Sequence, residues 1–378
     1  MHICLVYDCL FPWTVGGAER WYRALGERLV DQGHRVTYLT MCQWDQADQP
    51  AIPGIDVIAV APQMALYHGA RRRILPPLRF GAGVFWHLLR HGRRYDHVHT
   101  ASFPFFSLLA AGLLQPLQRY SLLVDWHEVW SREYWRTYLG ASGAIGWWVQ
   151  KLCAKLPQRA FTFSRLHLDR LEAIGRTGTL LTGEYAGGDR ENGPAAEPAV
   201  ILFAGRLIPE KRAGLLIEAF ALAHLDRPEL RLRIVGNGPE SAALAARVQS
   251  LGLGDAVELS GFVPTARLER WMAEATVICQ PSEREGYGMV VVEAAVRGVP
   301  VVVVEGADNA AVELVEPGRN GLIAAPTARA LAAALIAIAA DPVVWRARSR
   351  QWYAENRARL ALDASLAIVF GAIAEQAG

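Results

Sequence analysis

The sequence lacks the features of metal-clustered, disulfide-bonded and membrane-spanning proteins. Its 5 cysteines are scattered and no pair has the spacing of metal ligands, which predicts reduced thiols in a cytoplasmic protein. The longest apolar stretch, Ala101 to Leu114, contains Pro104 and is too short to span a bilayer. The first residues have no basic segment followed by a long apolar one, so we expect a β-strand there and no signal peptide.

Two common phosphate-binding motifs and any large excess of charge are also missing. The sequence has no Walker A loop, and its first strand-to-helix turn has no G-x-G-x-x-G fingerprint. The net charge is only +2, and we expect no nucleic-acid partner. Residues 1–185 carry 20 basic and 14 acidic residues, a net +6, and the rest carry 19 and 23, a net −4. The basic first half suits an acidic partner, a membrane surface or a solvated arginine-rich surface.

The sequence does contain a nearly continuous alternation of strand-like and helix-like segments. A chain of 378 residues with 52% hydrophobic and 20% charged residues suits two globular domains. The alternation predicts an α/β fold of parallel sheets with crossover helices. Predicted strands lie at residues 3–7, 36–40, 97–99, 122–124, 161–163, 200–204, 230–235, 257–259, 276–279 and 299–304.

A change of composition near residue 183 predicts the boundary between the two domains. Residues 183–198 are rich in glycine, proline and charge, as linkers are. We therefore predict one domain over residues 1–185 and a second over 186–345. A long final helix, over 346–378, is expected to pack back on the first domain.

The Gly16-Gly17 pair follows the first predicted strand and precedes a predicted helix. Glycines there let the backbone approach a ligand closely, and the start of the helix offers unpaired N–H groups to a phosphate. Many strand-to-helix turns contain glycine, so a plain tight turn is an equally good interpretation of the pair.

Two cations follow the first predicted strand of the second half. Arg206 and Lys211 lie in the loop after residues 200–204, and ligands of parallel sheets bind outside such strand ends. Arginine can bind two oxygens of a diphosphate at once, and lysine adds a second positive charge. Such cations stabilise negative charge that develops on a leaving group.

The most informative segment runs from Pro281 to Glu293 and reads PSEREGYGMVVVE. Glu285 and Glu293 lie eight residues apart, around a glycine-rich turn that opens a predicted helix. The N–H groups near Gly288 and Met289 can face a phosphate. The two carboxylates can accept hydrogen bonds from the hydroxyls of sugar and ribose rings.

On these motifs the chain resembles the retaining glycosyltransferases of family 4, over essentially its whole length. The resemblance implies the GT-B fold, in which two Rossmann-like domains face each other across a cleft. It implies transfer of a hexose-type sugar from a nucleoside-diphosphate sugar to a hydroxyl acceptor. It also implies that Glu285 binds donor-sugar hydroxyls, that Glu293 binds the ribose, and that Arg206 and Lys211 hold the diphosphate.

The resemblance extends the donor site to further positions. It implies that the backbone of Gly16 and Gly17 reaches the phosphates or the donor sugar. The other implied positions near the base, phosphates and sugar are Gly236, Asn237, Gly238, Phe262, Val263, Gly286, Tyr287, Gly288 and Met289. The sequence has no Asp-x-Asp motif of the metal-dependent sugar transferases. We therefore expect Arg206 and Lys211 to replace a metal, with no cofactor.

The acceptor side is expected in the first domain. By the resemblance, the histidine after residues 122–124 lies beside the transferred sugar, so His127 joins Arg206, Lys211 and Glu285 as a catalytic candidate. Some tryptophans between residues 126 and 148 are expected to line the acceptor pocket. The acceptor-side candidates are His99, Glu128 and Trp130. A packed core histidine is the alternative interpretation of His99.

The acceptor and the donor base are left open by the sequence. A glycan, a lipid-linked or phosphorylated sugar, or a small metabolite would fit, and so would UDP or GDP donors. Arginines at 71–73, 90, 93 and 94, with apolar residues among them, leave open an interfacial helix and peripheral membrane contact. Two other functions also stay open: a nucleotide-sugar 2-epimerase of GT-B fold, and a non-catalytic nucleotide-sugar-binding subunit.

Overall fold

The computed structural model describes residues 1–45, 50–65, 67–68, 71–187 and 199–375, without the side chains of residues 67, 68, 71 and 72. These residues form two compact units. The first unit consists of Met1–Ala186 and the segment from Leu362 onward, and the second consists of Gly187–Ala361. Both are parallel β-sheets with crossover helices, which confirms the predicted α/β fold.

The first unit contains a seven-stranded parallel sheet with strand order β3-β2-β1-β6-β7-β8-β9. Its strands are β1 (His2–Val6), β2 (Arg35–Met41), β3 (Ile55–Ala61), β6 (His97–Ala101), β7 (Ser121–Trp126), β8 (Arg159–Thr162) and β9 (Thr179–Leu180). A separate antiparallel pair consists of β4 (Tyr67–His68) and β5 (Arg71–Arg72). The helices are α1 (Gly17–Asp31), α2 (Leu75–His91), α3 (Phe105–Gln118), α4 (Arg132–Leu139), α5 (Gly143–Lys155), α6 (Arg165–Ala173) and, from the end of the chain, α13 (Leu362–Ala374).

The second unit contains a six-stranded parallel sheet with strand order β12-β11-β10-β13-β15-β17. Its strands are β10 (Val200–Ala204), β11 (Arg231–Val235), β12 (Val257–Gly261), β13 (Val277–Gln280), β15 (Val301–Val304) and β17 (Gly321–Ala324). A short parallel pair consists of β14 (Arg284–Glu285) and β16 (Asp308–Asn309). The helices are α7 (Ala213–Asp226), α8 (Ser241–Ser250), α9 (Thr265–Glu274), α10 (Met289–Val296), α11 (Ala328–Ala339) and α12 (Pro342–Leu360).

Continuous apolar runs form the central strands of both sheets. Residues Ile3–Val6 in β1, Ile201–Phe203 in β10 and Val301–Val304 in β15 are all buried, because helices cover both faces of a parallel sheet. Each predicted strand overlaps a strand of the structure. The structure adds β3, β9 and β17 to the two main sheets, and the two short strand pairs β4–β5 and β14–β16, none of which the sequence pattern predicts.

Each sheet has one position at which the order of the strands reverses. The chain starts in the middle, builds strands toward one edge, and then continues on the other side, so that β1 lies beside β6 and β10 beside β13. Ligands of open α/β sheets bind outside the carboxyl ends of the strands at such a position. The predicted donor residues of the second unit all follow β10, β11, β12 or β13.

The C-terminal part differs from the predicted single helix over 346–378. The helix α12 ends at Leu360, Ala361 is extended, and α13 begins at Leu362. In the second unit, Ser349 of α12 donates a hydrogen bond to the carbonyl of Val299, at 3.2 Å. Only α13 belongs to the first unit, so the part of the chain that packs back is shorter than predicted.

The start of the predicted linker belongs to the first unit. The backbone N–H of Gly183 donates to Ser365 Oγ at 2.9 Å, and the N–H of Leu362 donates to the carbonyl of Tyr185 at 3.0 Å. These bonds hold the segment against α13. The rest of the predicted linker, residues 188–198, lies outside the described residues.

No single helix in the described part of the chain is long and apolar enough to cross a membrane. The helices α11 and α12 meet the length and composition criteria only as a pair, and they are bent by 92° where they join. Leu331, Leu335 and Ile338 of α11 are buried in the core of the second unit.

The turn before α10 depends on a glycine. Gly288 has a φ of +103°, which side chains other than glycine rarely adopt. A Cβ atom at this position would lie 2.5 Å from Cβ of Ala311, in the short helix after β16. The sequence therefore needs glycine here for two reasons, the backbone conformation and the close approach of Ala311.

We predict that Gly288→Ala lowers the urea midpoint of unfolding much more than Gly252→Ala does. Gly252 also has a positive φ, of +67°, but has nothing within 4 Å of its Cβ position. The control substitution should lower the free energy of unfolding by about 1–2 kcal/mol, through backbone strain alone. Gly288→Ala adds an overlap that typically costs about 1–3 kcal/mol. Equal midpoints for the two variants would contradict the packing argument.

Candidate functional site

A largely buried ion pair joins two strand ends in the second unit. Lys211 ends the short helix after β10, and Glu285 lies in β14, just after β13. The Nζ atom of Lys211 lies 2.5 Å from Oε1 of Glu285, and the two side chains are only 17% and 12% exposed. Because β10 and β13 are neighbours in the sheet, residues 74 positions apart in the sequence meet at its carboxyl edge.

Three donors bind the same oxygen of Glu285. Besides Lys211, Gln280 Nε2 lies 2.7 Å and Ser282 Oγ 2.8 Å from Oε1. Burial alone would raise the pKa of Glu285, but the charge and hydrogen bond of Lys211, with the bonds from Gln280 and Ser282, lower this pKa overall. The carboxylate is therefore ionised at neutral pH. Among the described residues, its hydrogen bonds all use Oε1, which leaves Oε2 as an acceptor for a ligand hydroxyl.

The loops that carry the ion pair are bonded to each other. The backbone N–H of Glu283 donates to the carbonyl of Glu210 at 2.8 Å. An ion pair between Arg212 and Glu283, at 2.8 Å, joins the same two loops. Asn309 of β16 donates to the carbonyl of Ser282 at 3.0 Å. The position of Glu285 is thus fixed by backbone contacts as well as by its own side chain.

The other loops at this edge also interlock. The N–H of Leu207 donates to the carbonyl of Asn237, and the N–H of Gly236 donates to the carbonyl of Gly261, both at 2.9 Å. Gly236 has no room for a side chain, since a Cβ would lie 1.8 Å from the carbonyl oxygen of Gly205. The structure therefore places the predicted donor loops after β10, β11 and β12 side by side.

The remaining predicted donor residues differ in their exposure. Arg206 is exposed on the loop after β10, and Glu293 is partly buried on α10, one turn after the helix begins. Phe262 is 72% exposed and Val263 is buried beside it. The turn between β14 and α10 contains Gly286, the buried Tyr287 and Gly288, and it leads into Met289.

A buried carboxylate organises the corresponding edge of the first unit. Asp125, near the end of β7, accepts hydrogen bonds from Trp21 Nε1 and lies 2.8 Å from His99 Nε2. Burial alone would raise the pKa of Asp125, but His99, together with His127 and Trp21, lowers this pKa. His99 itself is completely buried, as the core interpretation of this residue requires.

His127 follows β7 and keeps one polar atom without a partner. Its ring stacks on Phe163 at 4.5 Å and meets the edge of Tyr22 at 6.2 Å. In the described part of the chain, its buried Nε2 atom has no hydrogen-bond partner. Burial lowers the pKa of His127, so the ring is neutral at pH 7. A buried polar atom without a partner is costly, which is typical of a ligand contact.

The other acceptor-side candidates bond to each other. Trp130 Nε1 donates to Glu128 Oε2 at 2.6 Å, and the backbone N–H of Trp130 donates to Gln150 Oε1 at 3.0 Å. Trp126 and Trp135 are buried in the core of the first unit. Hydrogen bonds and packing therefore explain the positions of Trp126, Trp130 and Trp135. Trp148, from the same predicted group, is exposed instead.

Sequence reasoning missed Glu184, which it placed in the linker. The Oε2 atom of Glu184 lies 3.9 Å from the Cβ position of Gly17, at the start of α1. Burial and the negative charge of Asp125 raise the pKa of Glu184 to about 8. Its carboxyl group is therefore protonated at neutral pH and can donate a hydrogen bond. The contacts of Gly183 and Tyr185 with α13, together with the pairing of β9 in the sheet, hold this segment, and no local pattern indicates them.

Sequence reasoning also missed the partners that hold the predicted residues. Gln280 immediately precedes the predicted segment, Ser282 lies within it, and Asp125 lies two residues before His127. A polar residue at the end of an apolar strand could have identified such partners from the sequence. Across the described ranges, no group of three or more histidine, cysteine, aspartate or glutamate side chains is arranged to hold a metal ion.

We predict that Glu184→Gln stabilises the first unit more at alkaline than at acidic pH. The folded protein keeps a proton on Glu184 up to about pH 8, whereas an ordinary glutamate loses it near 4.5. This residue therefore lowers the free energy of unfolding as the pH rises between these values. Denaturation of wild type and variant at about pH 5 and pH 8.5 measures the difference. Glu172→Gln, on the surface of α6, is the control. If Glu184→Gln raised the free energy of unfolding equally at both pH values, the raised pKa of Glu184 would be contradicted.

Family models match both units. Residues 15–178 match the model described as Glycosyltransferase Family 4, and residues 189–359 match the model described as Glycosyl transferases group 1. A segment of 165 residues is 34% identical to an exopolysaccharide phosphotransferase of Streptomyces coelicolor, covering 43% of this chain and 17% of that protein. A segment of 142 residues is 38% identical to a D-inositol 3-phosphate glycosyltransferase of a Nocardioides species, covering 34% and 31%. The aligned parts span less than half of these curated relatives.

Solved structures with the same fold match nearly the whole chain. A sucrose-phosphate synthase of Thermosynechococcus elongatus has a TM-score of 0.78 at 21% identity and covers 99% of this chain and 98% of its own. The Anabaena protein HepE, in complex with UDP and glucose, has a TM-score of 0.74 at 19% identity and covers 99% and 100%. These likenesses show the GT-B fold. With the two family models, which together match most of the sequence, they show that the chain belongs to the group 1 glycosyltransferases of family 4.

Proposed function

We propose that the protein is a retaining glycosyltransferase that moves a hexose-type sugar from a nucleoside-diphosphate sugar to a hydroxyl acceptor. The observation that carries this proposal is the geometry of Lys211 and Glu285. The pair combines a cation for a diphosphate with a carboxylate whose Oε2 is available to a sugar hydroxyl. It lies at the carboxyl edge of the second sheet, where the order of the strands reverses.

The diphosphate is proposed to bind in the second unit. Lys211 gives one N–H to Glu285 and has further N–H groups for phosphate oxygens. Arg206, on the same loop, adds a guanidinium, and the start of α10 at Met289 adds backbone N–H groups. These fixed positive charges would stabilise the leaving diphosphate without a metal ion. The exposed Phe262 and the Asn237 loop are proposed to contact the base, and Glu293 the ribose.

The first unit is proposed to bind the transferred sugar and the acceptor. The neutral ring of His127 presents an unpartnered Nε2, which would hydrogen-bond the sugar. The turn at Gly16 and Gly17 leaves the backbone accessible beside the protonated Glu184. Glu128 and Trp130, which follow His127 in the sequence and share a hydrogen bond, are proposed to contact the acceptor.

The proposed chemistry is a front-face displacement. The bond between the anomeric carbon and the leaving phosphate oxygen breaks, and a bond to the acceptor oxygen forms on the same face. The proton of the acceptor hydroxyl passes to the leaving phosphate oxygen, so the reaction needs no carboxylate nucleophile. The charges of Lys211 and Arg206 lower the barrier because they act on the diphosphate as its negative charge grows.

The HepE structures, which contain UDP, UDP-glucose, or UDP and glucose, favour a UDP-sugar as the first donor to test. An inositol phosphate acceptor is suggested by the curated glycosyltransferase relatives. Glycans and lipid-linked sugars belong in the same acceptor screen. Turnover of the donor without any acceptor would instead indicate a 2-epimerase, and binding without release of a nucleoside diphosphate would indicate a non-catalytic subunit.

We predict that Lys211→Ala and Glu285→Ala each lower kcat by about 10²–10³ while the fold is kept, since each removes a preorganised contact to the reacting groups. Release of nucleoside diphosphate from UDP- and GDP-sugars measures the rate, and circular dichroism checks the fold. Arg247→Ala is a matched control, because it removes an exposed ion pair with Glu218 in the same unit. Wild-type rates from both site variants would refute the assignment.

We predict that the first-formed product keeps the anomeric configuration of the donor, and that a chelator leaves the rate unchanged. Proton NMR of the anomeric signal during the first turnovers distinguishes retention from inversion. An inverted product would refute the front-face mechanism. Loss of activity in EDTA, with recovery in magnesium or manganese, would show that Lys211 and Arg206 do not replace a metal.

A further inference from the structure

Three helices of the first unit lie on the same face of its sheet. From β3 to β6, β7 and β8 the chain moves across the sheet in one direction, and right-handed crossovers place the connecting helices on one side. Accordingly, α2 packs against α3, and α3 packs against α5. Their outward surfaces therefore form one continuous surface of the protein.

The outward surfaces of these helices are apolar. In α2, for example, Phe80, Val84 and Leu88 face the core, whereas Leu78 and Trp86 lie on the opposite side. The exposed apolar residues of α2 with its preceding residue, α3 and α5 are Ile74 (61% exposed), Leu75 (47%), Leu78 (43%), Trp86 (53%), Leu113 (69%), Leu117 (53%), Ile145 (67%), Trp148 (65%) and Leu152 (53%). Single exposed apolar residues are common, but a cluster of this size marks an interaction surface.

The charges on the same helices are all positive. The sequences of α2, α3 and α5 contain no aspartate or glutamate, and their cations are Arg79, Arg90, Lys151 and Lys155. The guanidinium of Arg90 lies 5.2 Å from the ring centre of Trp86, and Nζ of Lys151 lies 5.4 Å from that of Trp148. Exposed tryptophans beside cations, on an otherwise apolar surface, are typical of the lipid–water interface.

The loops at the ends of α2 and α3 continue this pattern. Arg93 and Arg94 follow α2, Arg119 follows α3, and all three are exposed. Asp96 is the next acidic residue after Arg94, and its carboxylate already accepts the backbone N–H of His2 at 2.7 Å. Arg71 and Arg72, in the arginine run of the sequence, lie where side chains are not described. The ends of α2 and α3 therefore give this apolar surface a basic border.

We propose that this basic–apolar face, formed by α2, α3 and α5, docks the protein on the surface of an anionic lipid bilayer. The tryptophans and aliphatic side chains would enter the interface, and the cations would pair with lipid phosphates. A second copy of the chain is disfavoured as the occupant, because the only Asp, Glu, Lys or Arg residues of α2, α3 and α5 are cations, and two such faces would bring these cations together. The proposal does not depend on the proposed reaction, although a membrane site would bring the first unit to lipid-linked acceptors.

Sedimentation of the full-length protein with vesicles tests the proposal. We expect binding to vesicles of phosphatidylcholine mixed with phosphatidylglycerol, weaker binding to phosphatidylcholine alone, and further weakening at high salt. Arg90→Gln and Lys151→Gln should each weaken binding to the anionic vesicles by roughly fivefold, the factor for about 1 kcal/mol per cation. The Trp86→Ser, Trp148→Ser double variant should weaken binding by at least tenfold.

Matched controls come from the second unit. Leu225 of α7 is 79% exposed, and Arg247 of α8 is an exposed cation, so Leu225→Ser and Arg247→Gln change the same kinds of side chain elsewhere. Neither control should alter binding, and circular dichroism confirms that all variants fold. The proposal is overturned if the wild type does not bind anionic vesicles, or if the face variants bind as the controls do. Concentration-dependent dimerisation that is lost in the tryptophan variant would instead assign the face to a second copy.

Discussion

The ion pair between Lys211 and Glu285 fixes the loops at the carboxyl edge of the second unit's sheet. Two charges are costly to remove from water, and a buried pair is tolerated only when its other hydrogen bonds are also made. Here Gln280 and Ser282 supply those bonds to the same oxygen, so the carboxylate stays ionised and fixed. The backbone bond between Glu283 and Glu210 then holds the two loops at one spacing. Oε1 of Glu285 makes these bonds, and Oε2 is the atom that we propose for a ligand hydroxyl.

The first unit also contains a buried carboxylate at the edge of its sheet, but two of the groups around this carboxylate are neutral. Asp125 is ionised and completely buried, and its carboxylate is hydrogen-bonded to Trp21 Nε1 and His99 Nε2. Around it, burial keeps His127 neutral, and burial with the charge of Asp125 keeps Glu184 protonated at neutral pH. One unit thus offers fixed charges, which suit a diphosphate, and the other offers neutral hydrogen-bonding groups, which suit hydroxyls. This division agrees with the roles that we propose for the two units.

The outer helices of the first unit and the strand ends of its sheet carry the two different roles that we propose for this unit. The residues at the carboxyl ends of the strands are polar and mostly buried, as a ligand site requires. The helices on one face are buried toward the sheet and apolar outward, a pattern that the core does not need. Trp148 illustrates the distinction, because the sequence groups it with Trp126 and Trp135, whereas the structure exposes it on α5 and buries the other two.

The sequence by itself determined the α/β fold and the positions of the motifs, because apolar periodicity and glycine turns are local signals. The family resemblance that these motifs carry also implied that Arg206, Lys211 and Glu285 belong to one donor site. Only the tertiary structure decided that three donors meet on Glu285 Oε1, that His99 is a core residue, and that Glu184 lies beside Gly17. It also decided the break at Ala361. The contacts of Lys211 with Glu285, of His99 with Asp125 and of Glu184 with Gly17 join residues far apart in the sequence, and a local pattern does not identify such partners.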